Sequence, residues 1–185
     1  RSERGIDVRL ERTVTGVDLR SGRLRVQGPG GETQEPFDRL VLATGCRAVC
    51  PPWPGLDLDG VFVLHTLEHA GRIKGYLDDP GLKRAVVLGG GHIGLEMTDV
   101  LSARGLAVTL VKRSDIIPPG YAPEMVELVR AELDRYGVEV RTGARVVGFE
   151  GDGRVRGVDT DAGTLPADVV IVATGVKPEG DLARA

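Results

Sequence analysis

The sequence predicts an α/β fold: a parallel sheet with helices plus a β-meander, together with part of a second, related domain. Three observations carry that prediction. Residues 83–96 read as a buried strand, a glycine-packed turn and the start of a helix. Residues 107–111 supply a second strand, which closes a βαβ unit of roughly 30 residues. Two longer stretches ending in Ala43-Thr44-Gly45 and Ala173-Thr174-Gly175 repeat one another. The arrangement is Rossmann-like.

The central stretch is the most informative. Ala85-Val86-Val87-Leu88 is an unbroken apolar run, as in a parallel strand covered on both faces. Gly89, Gly91 and Gly94 fill the G-x-G-x-x-G spacing, and their tasks differ: a tight turn, close approach of backbone to a pyrophosphate, and close helix-to-strand packing. The following helix aims free N–H groups and its positive dipole end at that position. Ile93, Met97, Val100 and Leu101 mark its apolar face. Gly105 ends it.

Before this unit, residues 5–45 read as β-structure without helix. Strands are expected at 5–10, 14–19, 24–26 and 39–43, with turns at Ser21-Gly22 and at 28–31. Pro51-Pro52-Trp53-Pro54-Gly55 is a rigid crossing segment that cannot be helical. Residues 66–77 read as a helix with Thr66 as N-cap and Leu67, Ala70, Ile73 and Leu77 on one face. Asp78-Asp79-Pro80-Gly81 stops it. After the βαβ unit, Pro118-Pro119-Gly120 makes a loop and Pro123 opens a helix. Met125, Leu128, Val129 and Leu133 form its expected buried face.

The second repeat then follows. Gly137-Val138-Glu139-Val140-Arg141 matches Gly5-Ile6-Asp7-Val8-Arg9, Val146 before Gly148 matches Val14 before Gly16, and Gly153 makes the hairpin turn. The second copy follows a glycine-rich βαβ unit and the first does not. The first copy is therefore expected to be the later part of a domain whose front half is missing.

Composition narrows the function. The 185 residues carry a net charge of −3 with no block of like charge, which argues against nucleic acid as the main partner. The arginines near the start alternate with acids, as on a solvated face. No apolar run is long enough to span a bilayer, and residues 1–5 lack the apolar core of a signal peptide. Arg1 in place of an initiator methionine fits a piece of a longer chain. Cys46 and Cys50 are not in C-x-x-C spacing and read as two incidental thiols, which with the missing export signal suggests a reducing, cytoplasmic setting.

These residues resemble the FAD-dependent pyridine nucleotide-disulfide oxidoreductases. The similarity is to the branch of coenzyme A disulfide reductases, NADH oxidases and peroxidases, and nitrite reductase subunits. It rests on residues 40–45 with 51–55, residues 89–96 with 108–111, residues 124–138, and residues 168–178. The resemblance implies a fragment divided as follows: 1–50, the incomplete C-terminal part of a FAD-binding domain; 51–82, a crossing segment and helix; 83–165, an NAD(P)H-binding domain; 166–185, a return toward the FAD domain. The implied cofactors are NAD(P)H here and FAD in the full-length parent, whose other FAD and dimerisation parts would make it a homodimer.

The resemblance also implies site residues. Gly89, Gly91 and Gly94 would hold the pyrophosphate, with Gly90 and Ile93 beside them among the cofactor-binding residues. His92 stands where the family often has a tyrosine covering the flavin, or is an exposed helix-start histidine. Glu96 matches a carboxylate near the nicotinamide end. Val146, Thr174 and Gly175 are further cofactor contacts, and Thr44 and Gly45 would touch FAD once the upstream half is present. Lys112 and Arg113 depart from the family, because the strand would end in Asp or Glu if the ribose hydroxyls were free. Two cations would instead suit the 2′-phosphate of NADPH, which leans the reading to NADPH or dual use. Asp115 folding back as the acid, or a solvated Lys112, is the alternative. The fragment alone is expected to bind a dinucleotide and to catalyse nothing. Two other readings are a stand-alone, non-catalytic dinucleotide-binding module and a glycine turn that binds FAD.

Overall fold

The computed structural model describes residues 5–114 and 120–184. The chain divides into two compact units, one of residues 1–46 with 178–185 and one of residues 47–177.

In the first unit, β1 (Thr13–Asp18), β2 (Arg23–Gly28) and β3 (Gly31–Pro36) form an antiparallel meander. β3 is not evident from the sequence: its residues are polar and mostly exposed, so no apolar alternation marks it. The strands expected at 5–10 and 39–43 are not formed. Ile6, Val8 and Leu10 are all exposed, and Val41 is 86% exposed. An apolar alternation becomes a strand only when another strand takes its hydrogen bonds and another layer its side chains. Arg9 pairs with Asp7 and with Glu35 at 2.8 Å, as expected of a solvated charged face. α4 (Asp181–Arg184) is a single short turn; β4 (Cys46–Ala48) and β13 (Val176–Pro178), which pair with one another, each hold residues of both units.

The second unit is built on a five-stranded parallel sheet. Its strands are β5 (Val61–Val63), β6 (Arg84–Leu88), β7 (Ala107–Lys112), β8 (Glu139–Thr142) and β12 (Val169–Val172), in the order β5-β12-β6-β7-β8. The helices are α1 (Leu67–Tyr76), α2 (His92–Ala103) and α3 (Pro123–Arg135). Between β8 and β12 runs the antiparallel meander of β9 (Val146–Asp152), β10 (Arg154–Thr160) and β11 (Gly163–Pro166).

Alternating side chains of the sheet build two cores. Ala85, Val87, Leu110, Val169 and Ile171 pack with Ile73, Met97, Leu101 and Leu133 of the helices. Val86, Leu88, Val111, Val170 and Val172 pack with Phe149, Val155, Val158 and Leu165 of the meander. Burial on both faces is why these strands are continuously apolar.

Thr66 caps α1 as the sequence indicates, its hydroxyl accepting the His69 N–H at 3.2 Å. The helix faces are narrower than periodicity alone suggests. Ile73 is buried but Leu67 is 92% exposed; Met97 and Leu101 are buried while Ile93 and Val100 are not; Leu133 is buried while Met125 and Leu128 are exposed. Each helix lies on the sheet along a single line, so apolar residues at the flanks of its stripe remain in solvent.

The repeat shows in the backbone. In the first meander the register shifts between Val14 and Gly16, and in the second it shifts between Val146 and Gly148. Both are bulges at the matching residue.

Candidate functional site

The parallel strands of the second unit all end on one edge, and there a cleft of about 840 Å³ opens, lined only by residues of that unit. The volume falls in the ~300–1,000 Å³ range of small-molecule sites, and the C-terminal edge of a parallel sheet is where such sites form.

Its floor is the glycine turn. Gly89 has φ +113°, and a Cβ there would collide with the Ala173 carbonyl. The Gly89 N–H donates to the Val111 carbonyl at 2.8 Å, and the Ala173 N–H to the Leu88 carbonyl at 2.8 Å, so the turn is tied to both neighbouring strands. Gly94 sits in the first turn of α2 with no room for a Cβ against the Gly89 carbonyl, which brings helix and turn into direct contact. Gly91 differs: a Cβ there would enter open space. It is the N-cap of α2, with no side-chain cap bond and no acid in the first turn. The first N–H groups of this helix therefore have no intrahelical acceptor and form the positive end of its dipole, which favours an anion.

The structure brings most of the expected contact residues to this cleft. Gly89, Gly90 and Gly91 line the floor, Lys112 and Arg113 one side, and Val146, Thr174 and Gly175 the remainder. The Thr174 hydroxyl donates to the Val49 carbonyl at 2.6 Å, and the Val49 N–H donates to Gly175 at 2.9 Å, which fixes that wall. Ile93, Gly94, His92 and Glu96 follow on α2 and do not line the cleft. His92 Nε2 shares a 2.6 Å hydrogen bond with the Tyr121 hydroxyl, their rings tilted with centroids 5.7 Å apart. Thr44 and Gly45 belong to the other unit, where the Thr44 hydroxyl donates to the Glu179 carbonyl. Asp115, the alternative ribose acid, lies outside the described residues, as do Pro118 and Pro119.

The cleft's charge is one-sided. Lys112, Arg113 and Arg145 line it, and no described carboxylate does. Burial alone pulls the Lys112 ammonium below the usual lysine value, with no carboxylate opposing it. Several lining residues are not among the contacts expected from the sequence, Trp53, Ser114 and Arg145 among them. Trp53 packs edge-on against Phe149 at 5.9 Å, and Ser114 and Arg145 follow β7 and β8. Nothing in the sequence marks them as cleft residues, because folding alone brings their segments together. These groups would suit a nicotinamide dinucleotide: open space at the Gly91 backbone for a pyrophosphate, and cations at Lys112, Arg113 and Arg145.

A model of the pyridine nucleotide-disulphide oxidoreductases matches residues 1–185. An NADH oxidase of Methanocaldococcus jannaschii is 38% identical over 184 residues, covering 98% of this chain and 41% of that protein. A CoA-dependent NAD(P)H sulfur oxidoreductase of Pyrococcus abyssi is 38% identical over 183 residues, covering 98% of this chain and 40% of that protein. Among solved structures, an NAD-dependent persulfide reductase from A. fulgidus superposes with a TM-score of 0.83 at 35% identity, covering 94% of this chain and 32% of that one. The chain thus spans about two-fifths of the length of the curated relatives it matches.

Proposed function

We infer a nicotinamide-binding function from one premise: the chain belongs to the pyridine nucleotide-disulphide oxidoreductase family. The reading is that it forms the NAD(P)H-binding portion of a longer flavin-dependent oxidoreductase. The observation that carries it is the cleft over the glycine turn, where the uncapped start of α2 meets open space at Gly91. The α2 N-terminus and Gly91 backbone hold the pyrophosphate, Lys112 and Arg113 hold the adenosine ribose end, and Thr174 and Gly175 border the other end.

The chemistry supplied there is hydride transfer from nicotinamide to FAD in the full-length parent, then onward to a disulfide, oxygen or another acceptor. The relatives' names support that class: an NADH oxidase, an NAD(P)H sulfur oxidoreductase and an NAD-dependent persulfide reductase. On the same reading residues 1–50 are the end of a FAD-binding domain, with 51–82 the crossing segment, 83–165 the NAD(P)H-binding domain and 166–185 the return. Thr44 and Gly45 would meet FAD in a cytoplasmic, homodimeric parent. Among the described residues no helix is long and apolar enough to cross a membrane.

The basic side of the cleft favours NADPH. A carboxylate would accept hydrogen bonds from ribose hydroxyls and repel a phosphate; Lys112 and Arg113 do the opposite. Calorimetric titration of the chain with NADPH and NADH at low salt tests this. NADPH is expected to bind more tightly, and Lys112→Glu to reduce that preference. Binding of neither nucleotide would overturn the reading.

A further inference from the structure

We propose that Arg145 is a specificity residue of this cleft that contacts the phosphate on the 2′ position of the adenosine ribose. The proposal rests on the dinucleotide reading above and adds a residue to it.

Sheet order places Arg145 at the adenosine end. The glycine turn follows β6, and the strands run β12-β6-β7-β8. Neighbouring strands are about 4.8 Å apart, so β8 ends roughly 10 Å from the turn, on the side away from β12. A dinucleotide whose pyrophosphate sits at the α2 N-terminus spreads both ways along this edge. One half runs toward Ala173-Thr174-Gly175 after β12. The other passes Lys112 and Arg113 at the end of β7 and reaches Arg145, three residues after β8.

The backbone of Arg145 is fixed while its charge is left available. Its N–H donates to Asp161 Oδ1 at 3.0 Å, and its carbonyl accepts the Asp161 N–H at 3.0 Å. Asp161 thus spends its carboxylate on the backbone, and the exposed Arg145 guanidinium has no ion pair among the described residues. With Lys112 and Arg113 it makes a wall of three cations facing no described carboxylate. Two ribose hydroxyls bring no charge to such a wall. A phosphate monoester brings nearly two negative charges and three acceptor oxygens, which the planar guanidinium fork matches.

The test is calorimetric titration of the full chain with adenosine 2′,5′-bisphosphate and, separately, 5′-AMP, for wild type, Arg145→Gln and Arg145→Lys. The expected result is that Arg145→Gln weakens the bisphosphate about tenfold and leaves 5′-AMP unchanged, with Arg145→Lys between. Unchanged bisphosphate affinity in Arg145→Gln, or an equal loss of both probes, would overturn the role of Arg145. A wild-type chain that binds neither probe nor either nicotinamide dinucleotide would instead overturn the dinucleotide reading itself, and this proposal with it.

Discussion

Residues 39–45 and 169–175 both run through apolar side chains into Ala-Thr-Gly, but Val169–Val172 is a central strand and residues 39–43 form none. The similarities between the copies are local. Gly45 and Gly175 both have positive φ, +73° and +129°. The threonine hydroxyls both donate to backbone carbonyls, Thr44 to Glu179 in one unit and Thr174 to Val49 in the other. Both preceding meanders carry the same bulge. The difference is the surroundings. Val169–Val172 lies between β5 and β6 with helices on one face and a meander on the other. In the first unit, Val26 is the one buried hydrophobic residue of the meander among the described residues. Local chemistry sets turns, bulges and caps; a strand also needs neighbours.

The largest test of that comparison is a matched pair of truncations. Ile171→Ala, at a fully buried position, is expected to cost about 2–5 kcal/mol. Val41→Ala should stay within about 0.5 kcal/mol. Urea unfolding followed by circular dichroism measures both, and equal costs would break the comparison.

The glycine turn gives the next effect. Gly94→Ala is expected to destabilise the second unit by about 3 kcal/mol, because the Gly89 carbonyl is backbone and cannot move aside. Gly91→Ala should fold normally, since its Cβ meets open space, and should lose nucleotide affinity. Trp53, the sole tryptophan, reports unfolding of this unit by fluorescence.

At the opposite edge of the sheet, Asp168 offers a pH test. Burial raises its pKa, but the Arg84 side chain and the Arg84 and Lys83 N–H groups outweigh that and hold the carboxyl below its ordinary value. A depressed carboxyl stabilises the fold above its unfolded pKa, and that contribution is lost as pH falls through the folded value. The Trp53-detected urea midpoint should therefore drop in acid, and Asp168→Asn should lower it at neutral pH while flattening the drop. An unchanged acid profile in that variant would contradict the role of Asp168.

The smallest effect is the shared one. Thr44→Val and Thr174→Val each remove one hydroxyl donor to a backbone carbonyl, with an expected cost of about 1 kcal/mol apiece in urea unfolding. A much larger cost at Thr174 alone would mean that its bond, unlike that of Thr44, holds the sheet edge.

The same distinction explains how much was legible in the sequence. Gly89, Gly91 and Gly94 are readable because their signal lies within a few consecutive residues. Thr66 and Gly153 are readable for the same reason. β3 was hidden by its polar residues, and Val61–Val63 by being only three residues long. Residues 5–10 and 39–43 looked like strands because periodicity does not register a partner. At the site, the glycine turn and the Lys112-Arg113 pair stood out, whereas Trp53, Ser114, Arg145 and the Tyr121 partner of His92 come from segments joined only by folding.

On the proposed function, the cleft over the glycine turn holds a nicotinamide dinucleotide. An NMR titration of the labelled chain with NADPH, read as amide shifts, tests it most directly. Saturable shifts are expected at Gly89, Gly90 and Gly91, at Lys112, Arg113 and Ser114, and at Ala173, Thr174 and Gly175. Saturable shifts confined to other residues, or none at ligand excess, would contradict it.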